Sequence, residues 1–294
     1  PFRDRERFSR KAVLIFSVLG CLIFGGAGAS IHFNDGFHTR YNSEQLKLLS
    51  FHKYDQRDEL YRNRVCFLRG DQDEGSFEDI CKTGSILIWG DSHAASLSYG
   101  MSSLKKITQL TSSGCPPILN TEILTRPYCQ SINQHVFEYI NEYKPKAVFL
   151  SANWLKYNFT QSLPHSLDTL SKQNPTVEFF ILGGLPQWLP SLPSTMIRAN
   201  VLLNGQETYI ENKVFNKVKM QDDSISEIVQ QLNKKNVQFI SLLHLLCQSN
   251  SCLTQTKYPQ IEPIAFDYGH LTGSGSIKAS SLIFNNVNLG QSDV

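Results

Sequence analysis

The chain has 294 residues, of which 41% are hydrophobic, so it can bury one substantial core, which favours one main domain over several. Its formal net charge is +2 at pH 7, and about −1 without the first twelve residues, which carry five basic and two acidic side chains. No basic stripe is left to bind a phosphate backbone, so we expect no nucleic-acid partner, whereas a near-neutral surface suits a sugar ligand.

The first predicted element is a membrane-spanning helix. A basic flank at 1–11 precedes an apolar span at 12–31 that contains no charged side chain. This span is about one bilayer long at ~1.5 Å per residue, and the flank predicts a cytoplasmic N-terminus. The alternative is a signal peptide cleaved near "AGAS" at 27–30, although Asp4 and Glu6 in the flank favour a retained helix. Both interpretations place the chain from residue 32 onward outside the cytosol.

The next predicted segment, residues 32–81, is an extension that joins the span to a domain at 82–294. Residues 41–64 show an imperfect helical stripe of apolar and aromatic side chains among many charges, which favours an amphipathic linker helix. Residues 70–84 are acidic and contain glycine, which indicates a loop. Because the chain starts with Pro1 rather than methionine, we expect it to be a fragment or processed form of a longer protein.

After residue 84, short apolar runs alternate with helical patterns. The runs are rich in β-branched or aromatic residues and predict buried strands at 85–89, 107–111, 146–151, 177–182 and 236–241. Helices are predicted at 93–105, 130–143, 161–172, 222–234 and 273 to about 287. This alternation predicts a three-layer α/β/α sandwich around a central, mostly parallel sheet. Ligands of such folds bind beyond the carboxyl ends of the strands, which should bring together Gly90–Ser92, Ser151–Asn153 and Gly183–Gly184.

The cysteines indicate an oxidising compartment. Apart from Cys21 in the apolar span, they form couples that are close in sequence, which favours the disulfides Cys66–Cys81, Cys115–Cys129 and Cys247–Cys252. The alternative is a set of free buried thiols. No C-x-x-C motif and no His/Cys cluster occurs in the sequence, so we expect no metal site.

Ser92, Asp267 and His270 are the candidates for chemistry. Ser92 follows the strand end in "ILIWGDSH", while Asp267 and His270 stand three residues apart in "FDYGHLTGSG". A serine hydroxyl is a weak nucleophile that needs a base within hydrogen-bond reach, itself oriented by a third group. One turn can hold the carboxylate at Nδ1 of His270 while Nε2 faces Ser92. The alternatives are that Ser92 only caps its helix and that His270 is an ordinary, partly buried histidine.

These motifs resemble those of a known superfamily. "GDSH" at 90–93 and "DYGHL" at 267–271 resemble blocks I and V of the SGNH hydrolases, in which the block I serine is the nucleophile and the block V aspartate and histidine complete a triad. With "DSHA" and "GCPP" behind a membrane span, the chain resembles more closely the C-terminal SGNH domain of acyltransferase family 3 membrane proteins. Those proteins O-acetylate bacterial surface polysaccharides, including the O-antigen of lipopolysaccharide. The resemblance covers roughly residues 82–290 and implies that 12–31 is the last helix of a membrane domain.

The resemblance also implies an oxyanion hole, formed by the backbone N–H of Ser92 with Gly114 in "SSGCPP" and Asn153 in "LSANW". Block III of the superfamily usually reads glycine, one residue, asparagine, aspartate, but here Ser151 replaces the glycine and Trp154 the aspartate. Gly114 can equally be a turn beside a disulfide, and Asn153 a loop residue that bonds its own backbone.

The residues around these candidates are assigned structural roles. His93 lies on the wrong side of the turn to act as a base, and Asp91 is expected to bond local backbone. Trp154 and Trp188 can stack on a sugar, although aromatic side chains usually pack in cores. The proline-rich stretch 183–205 is predicted to be a long irregular loop over the site.

The function that follows is O-acetyl transfer, in which Ser92 takes an acetyl group and His270, held by Asp267, deprotonates the sugar hydroxyl that attacks the ester. The resemblance implies a partner membrane domain in the same polypeptide, acetyl-CoA as the donor which that domain uses, and a surface glycan as acceptor. It also implies anchoring in the inner membrane with this domain in the periplasm. The sequence suggests no cofactor in the domain itself. The alternatives are an exported carbohydrate acetylesterase with the same triad and a non-catalytic glycan-binding module.

Overall fold

A computed structural model describes residues 9–33 and 38–289, and the chain divides into two compact units between Lys47 and Leu48. In the first unit, α1 (Arg10–Phe33) is a 24-residue helix with no buried side chain. It is the one helix in the described residues that is long and apolar enough to cross a membrane. The helix contains the predicted span 12–31, whereas most of the predicted basic flank lies outside the described residues.

The described residues form ten α-helices and eleven strands. After α1 the helices are α2 (Ser43–Ser50), α3 (Arg57–Leu60), α4 (Ser92–Leu104), α5 (Cys129–Tyr143), α6 (Ser162–Gln173), α7 (Leu192–Arg198), α8 (Phe215–Leu232), α9 (Leu242–Leu246) and α10 (Gly273–Asn285). The strands are β1 (Phe67–Leu68), β2 (Ile86–Gly90), β3 (Ile107–Ser112), β4 (Ala147–Ser151), β5 (Glu178–Leu182), β6 (Tyr209–Glu211), β7 (Val237–Ile240), β8 (Cys247–Gln248), β9 (Ser251–Leu253), β10 (Gln255–Thr256) and β11 (Glu262–Pro263).

Six parallel strands form the central sheet in the order β1-β3-β2-β4-β5-β7. Gly90 pairs with Ser151, and Ser151 pairs with Leu182, so the carboxyl ends of β2, β4 and β5 lie side by side. The five predicted strands are confirmed as β2, β3, β4, β5 and β7. The edge strand β1 was not predicted, because two residues carry no detectable periodicity. The remaining strands form two small antiparallel sheets, β6-β9-β8 and β10-β11.

Alternate side chains of each strand face two different cores. In β2, Ile86 and Ile88 pack in the core that includes the apolar side chains of α4 and α10. Leu87 and Trp89 face the opposite way, into the core that includes those of α5 and α6. Because a parallel sheet buries both of its faces, helices must cover each of them. The result is the predicted three-layer α/β/α sandwich.

Residues 48–81 of the predicted extension at 32–81 belong to the second compact unit. Leu48 is fully buried in a core, and Cys66 is bonded to Cys81 next to β1. The helix predicted at 41–64 is replaced by the short helices α2 and α3. Between them the ring of Tyr54 stacks on Phe266, with centroids 5.0 Å apart, a contact between segments that are distant in the chain.

Two other elements differ from the prediction. Helix α7 lies inside the predicted loop 183–205, where the Ser191 hydroxyl accepts the N–H of Ser194 and Pro193 occupies the first turn, which tolerates a missing N–H. Helix α8 begins well before the predicted residue 222. Its buried face is helically spaced but contains a carboxylate, which interrupts the apolar pattern: Phe215, Val218, Asp222, Ile225 and Val229.

The structure contains the three disulfides Cys66–Cys81, Cys115–Cys129 and Cys247–Cys252. The first two join residues 15 and 14 positions apart. Closing loops of this size stabilises the folded chain by about 3 kcal/mol each in the chain-entropy account. The bridge at Cys66 fastens the chain next to β1, and the one at Cys115 fastens the segment that follows β3.

Candidate active site

A strained turn places Ser92 at the carboxyl end of β2. Gly90 has a φ of +147°, and a Cβ there would lie 1.8 Å from the carbonyl oxygen of Ser151 on the neighbouring strand, so only glycine fits. Asp91 is the N-cap of α4, since its Oδ1 accepts the N–H of His93 over 2.8 Å. The chain therefore turns directly from strand to helix, and Ser92 is the first helical residue, partly exposed.

A close crossing of α4 and α10 brings the two halves of the site together. A Cβ at Gly100 of α4 would lie 2.1 Å from the carbonyl oxygen of Ser276 on α10, so glycine allows the two backbones to touch. The N–H of Gly100 donates to the Ser276 hydroxyl over 2.8 Å. Because α4 starts at Ser92 and α10 starts just after His270, this crossing determines the distance between those two side chains.

Ser92, His270 and Asp267 form a continuous chain of hydrogen-bonded side chains. Ser92 Oγ lies 2.9 Å from His270 Nε2, and His270 Nδ1 lies 2.7 Å from Asp267 Oδ2. The other carboxylate oxygen of Asp267 accepts the backbone N–H groups of Gly269 and His270 over 2.9 and 2.8 Å. The structure thus brings together the three residues that the sequence singled out.

The ionisation of Asp267 determines which imidazole nitrogen carries the proton. Burial raises the pKa of this carboxyl, but the hydrogen bond and charge of His270 and the two backbone N–H groups outweigh burial and leave the pKa below its usual value. An ionised carboxylate only accepts hydrogen bonds, so Nδ1 of His270 is the protonated nitrogen. In the neutral imidazole Nε2 is then an acceptor, oriented to take the hydroxyl proton of Ser92.

Aromatic rings hold the imidazole of His270 in this orientation. Phe266 stacks on it with centroids 5.9 Å apart, while Tyr268 and His93 meet it edge to face, each at 5.1 Å. His93 is 1% exposed, and neither ring nitrogen has a hydrogen-bond partner within the described part of the chain. Burial, followed by the nearby charge of His270, lowers the pKa of His93 far below its usual value, so this ring is neutral.

Asp91 connects the turn to the end of β4. Its Oδ2 accepts the backbone N–H of Asn153 over 3.0 Å and the hydroxyl of Tyr157 over 2.7 Å. Burial raises the pKa of the Asp91 carboxyl despite these hydrogen bonds. Burial raises the pKa of the Tyr157 phenol, and the charge of Asp91 and the hydrogen bond to it raise this pKa further. Asp91 accordingly bonds local backbone, as the sequence indicated, and it also brings Asn153 next to the turn that carries Ser92.

Asn153 and Gly114, the two residues assigned to the oxyanion hole, have different surroundings. The Asn153 side chain is buried at the edge of the site, where its Oδ1 accepts Gln187 Nε2 over 2.7 Å and its Nδ2 donates to the Tyr268 hydroxyl over 3.2 Å. Gly114 has a φ of +68° in the turn after β3, and its nearest side chain is that of Arg126. In the described structure no hydrogen bond joins Gly114 to Ser92 or to Asn153. The oxyanion roles of both residues are therefore proposals.

The two tryptophans and the glycine pair that the sequence singled out near the site take part in packing. Trp154 is 1% exposed, and its indole N–H donates to the carbonyl of Leu182, so it is a core residue. Trp188 is also buried in a core. Gly183 and Gly184 follow β5 as predicted but pack against the side chain of Asp222 on α8. They belong to the packing of that helix rather than to the site around Ser92.

Sequence reasoning missed the polar residues that surround the predicted ones. These are Lys156, Tyr157, Gln187 and Tyr268. Tyr268 stands between Asp267 and His270 in the quoted motif, so its position was a usable signal. The others lie on two loops whose approach to the site depends on tertiary contacts, such as the N–H of Trp188, which donates to the Tyr268 carbonyl over 2.6 Å. Residues 9–33 and 38–289 contain no cluster of three His, Cys, Asp or Glu side chains suited to a metal ion.

The solved periplasmic domain of a lipopolysaccharide acetyltransferase from Salmonella ser. Paratyphi A is similar in fold, with a TM-score of 0.66 and 21% identity over 83% of this chain and 99% of that chain. A family 3 carbohydrate esterase from Clostridium thermocellum has a TM-score of 0.41 and 17% identity over 68% of this chain and 92% of its own. The C-terminal catalytic domain of Streptococcus pneumoniae peptidoglycan O-acetyltransferase A has a TM-score of 0.37 and 10% identity over 69% and 91%.

No curated protein sequence matches the chain significantly. The family described as "SGNH domain (fused to AT3 domains)" matches residues 53–283, and this range begins within the segment that the structure packs into the second unit. The chain therefore belongs to the family of SGNH domains that are fused to AT3 domains, and the predicted resemblance to this family is confirmed.

Proposed function

We propose that this chain is the serine-nucleophile domain of an O-acetyltransferase, which transfers an acetyl group to a sugar hydroxyl of a bacterial surface polysaccharide, with the O-antigen of lipopolysaccharide as the expected acceptor. The observation that carries the proposal is the hydrogen-bonded chain Ser92–His270–Asp267. Ser92 Oγ lies 2.9 Å from Nε2 of the imidazole, and Asp267 Oδ2 lies 2.7 Å from its Nδ1. Nucleophile, base and orienting carboxylate at these distances are what serine acyl transfer requires.

In the first half of the reaction, His270 Nε2 takes the hydroxyl proton as Ser92 Oγ attacks the carbonyl carbon of the acetyl donor. The tetrahedral intermediate collapses when the donor leaves with the proton from His270, and an acetyl-serine is left. In the second half, His270 takes the proton of a sugar hydroxyl, whose oxygen attacks the acetyl carbon. Collapse releases the acetylated sugar, and His270 returns the proton to Ser92 Oγ. Asp267 stabilises the imidazolium in both halves.

The setting supports transfer outside the cytosol. The apolar helix α1 suits a membrane anchor, and three disulfides suit an oxidising compartment such as the periplasm. Fusion of the family to AT3 domains supports a membrane domain of the same polypeptide as the partner that supplies acetyl groups, with acetyl-CoA as its donor. The proposed donors to the oxyanion are the backbone N–H of Ser92 together with Gly114 and Asn153.

Water can replace the sugar hydroxyl, which makes a carbohydrate acetylesterase the second candidate. The observation that favours it is solvent access, since the side chains of His270 and Asp267 are 16% and 31% exposed. Transfer raises the acetyl content of the glycan and hydrolysis lowers it, so one experiment separates the two activities.

The test is the acetyl content of surface glycan, measured by mass spectrometry in cells that carry the full-length protein with Ser92→Ala. Transfer predicts that acetyl groups are lost, and deacetylation predicts that they increase. Ser103→Ala is the matched control, because this exposed serine lies on the same helix and bonds only the carbonyl of Tyr99. An acetyl content equal in wild type and Ser92→Ala would contradict both enzymes and favour a glycan-binding module.

A further inference from the structure

The hydroxyl of Tyr268 is held at the edge of the site by two hydrogen-bond donors. Lys156 Nζ lies 3.3 Å from the phenol oxygen, and Asn153 Nδ2 lies 3.2 Å from it. The amide of Asn153 presents its nitrogen to Tyr268 because its oxygen accepts Gln187 Nε2 over 2.7 Å. An ammonium group and an amide NH2 can only donate. Both lone pairs of the phenol oxygen are thus engaged, and its own hydrogen is left for a third partner.

No group in the described part of the chain accepts that hydrogen, and the ring that carries the hydroxyl lies against the base of the site. The Tyr268 ring meets the imidazole of His270 edge to face, with centroids 5.1 Å apart. Its backbone is fixed on one side by the N–H of Trp188, which donates to the Tyr268 carbonyl over 2.6 Å, and on the other by the N–H of Leu192, which donates to the Asp267 carbonyl over 3.0 Å. The phenol is consequently a fixed group beside the base that faces Ser92.

Lys156 makes this phenol a stronger donor. Its ammonium nitrogen lies 5.3 Å from the centroid of the Tyr268 ring, and no carboxylate forms an ion pair with it in the described residues. A cation that bonds to a hydroxyl oxygen draws electron density from the O–H group and strengthens the hydrogen bond which that group donates. Charge that develops next to the hydroxyl is stabilised without reorganisation, because the donor is already in place.

We propose that the Tyr268 hydroxyl donates a hydrogen bond to the acyl oxygen that becomes negatively charged when Ser92 attacks, and that Lys156 and Asn153 position this hydroxyl. The inference rests on the proposed function, since it assigns a further catalytic residue to the same acyl transfer. Asn153 then acts on the substrate indirectly, because one of its amide hydrogens bonds to the Tyr268 hydroxyl, which in turn bonds to the acyl oxygen.

The test uses Tyr268→Phe, which keeps the ring against His270 and removes only the hydroxyl. The 294-residue chain in detergent is mixed with 4-nitrophenyl acetate, and the burst of nitrophenolate reports acylation of Ser92. We expect the maximal burst rate constant to fall on the order of 10²-fold while the ester concentration that gives half of this maximum stays near the wild-type value, because the lost bond forms only as charge develops. Tyr143→Phe, which removes an exposed hydroxyl on α5, is the matched control and should leave both values unchanged.

Two results would overturn the role of Tyr268. One is an unchanged maximal burst rate constant, and the other is a higher half-saturating ester concentration with no change in that constant, which would indicate substrate binding alone. Ser92→Ala in the same assay keeps this distinct from the proposed function. If Ser92→Ala retains the burst, it is the serine mechanism that fails.

Lys156→Met tests the positioning of the phenol. We expect a smaller fall in the burst rate constant than for Tyr268→Phe, and no further fall when Lys156→Met is added to Tyr268→Phe, because the lysine acts through the phenol. Lys217→Met, at an exposed lysine of α8, is the control for loss of positive charge. An equal effect of Lys156→Met with and without the Tyr268 hydroxyl would refute the coupling.

Discussion

Asp222 is a buried carboxyl whose titration should change the stability of the fold. It is 2% exposed on α8, where Oδ1 accepts the N–H of Gly184 over 2.7 Å and Oδ2 accepts the hydroxyl of Ser241 over 2.5 Å. Burial raises the pKa of this carboxyl to about 6, although the two hydrogen bonds act in the opposite direction. The side chain therefore binds its proton more tightly in the folded chain than in the unfolded chain.

The sign and size of the effect follow from this pKa. Between pH 3.8, the usual pKa of the group, and about 6, the folded state binds more protons than the unfolded state, so the contribution of Asp222 to stability increases as the pH falls. Each pKa unit corresponds to about 1.4 kcal/mol, so the buried charge costs about 3 kcal/mol at pH 8, and most of that cost is removed by about pH 4. An asparagine in place of Asp222 does not titrate, and its amide oxygen keeps an acceptor for the N–H of Gly184.

The assay is urea unfolding of the chain in detergent, with disulfides intact, from pH 8 to 4 for wild type and Asp222→Asn. The difference in the free energy of unfolding between the two cancels the titration of every other group. We expect the wild type to gain about 2 to 3 kcal/mol relative to Asp222→Asn as the pH falls across this range. The gain begins as the pH falls through about 6, and half of it is reached at about pH 5. A difference that does not vary with pH would refute the argument.

Four further outcomes are expected. Gly90→Ala places a Cβ 1.8 Å from a neighbouring carbonyl oxygen, so circular dichroism should show loss of the folded state. Replacement of both Cys66 and Cys81 by serine should lower the free energy of unfolding by about 3 kcal/mol in urea titrations, and no change would contradict a stabilising bridge. Asp267→Asn no longer holds the tautomer of His270, so the burst of nitrophenolate should slow on the order of 10⁴-fold. In the wild type, His93 should lower the stability as the pH falls below 6.5, the usual pKa of histidine, because the unfolded chain takes up a proton that the buried ring resists. His93→Leu should abolish this part of the pH dependence.

The reacting side chains were predictable because their sequence signals are local. Gly90, Asp91 and Ser92 mark a strand that turns directly into a helix, and Asp267 and His270 lie within one turn of each other. Tyr268 lies inside the same motif, but the network that joins it to Lys156 and Gln187 was not predictable from such signals. Those residues come from three loops, and polar residues in loops show no periodicity that would separate a functional position from a solvated one.

The sequence by itself determined the strand and helix alternation, the disulfide couples and the identity of the candidate nucleophile, base and orienting carboxylate. Those properties depend on residue type and on spacing within a few positions along the chain. Only the tertiary structure decided that residues 48–81 belong to the domain, that Tyr54 leaves its helical stripe to stack on Phe266, and that α4 and α10 approach closely enough to join Ser92 to His270. Each of these outcomes depends on contacts between distant segments, whose free energy outweighs the local preferences that a sequence pattern records.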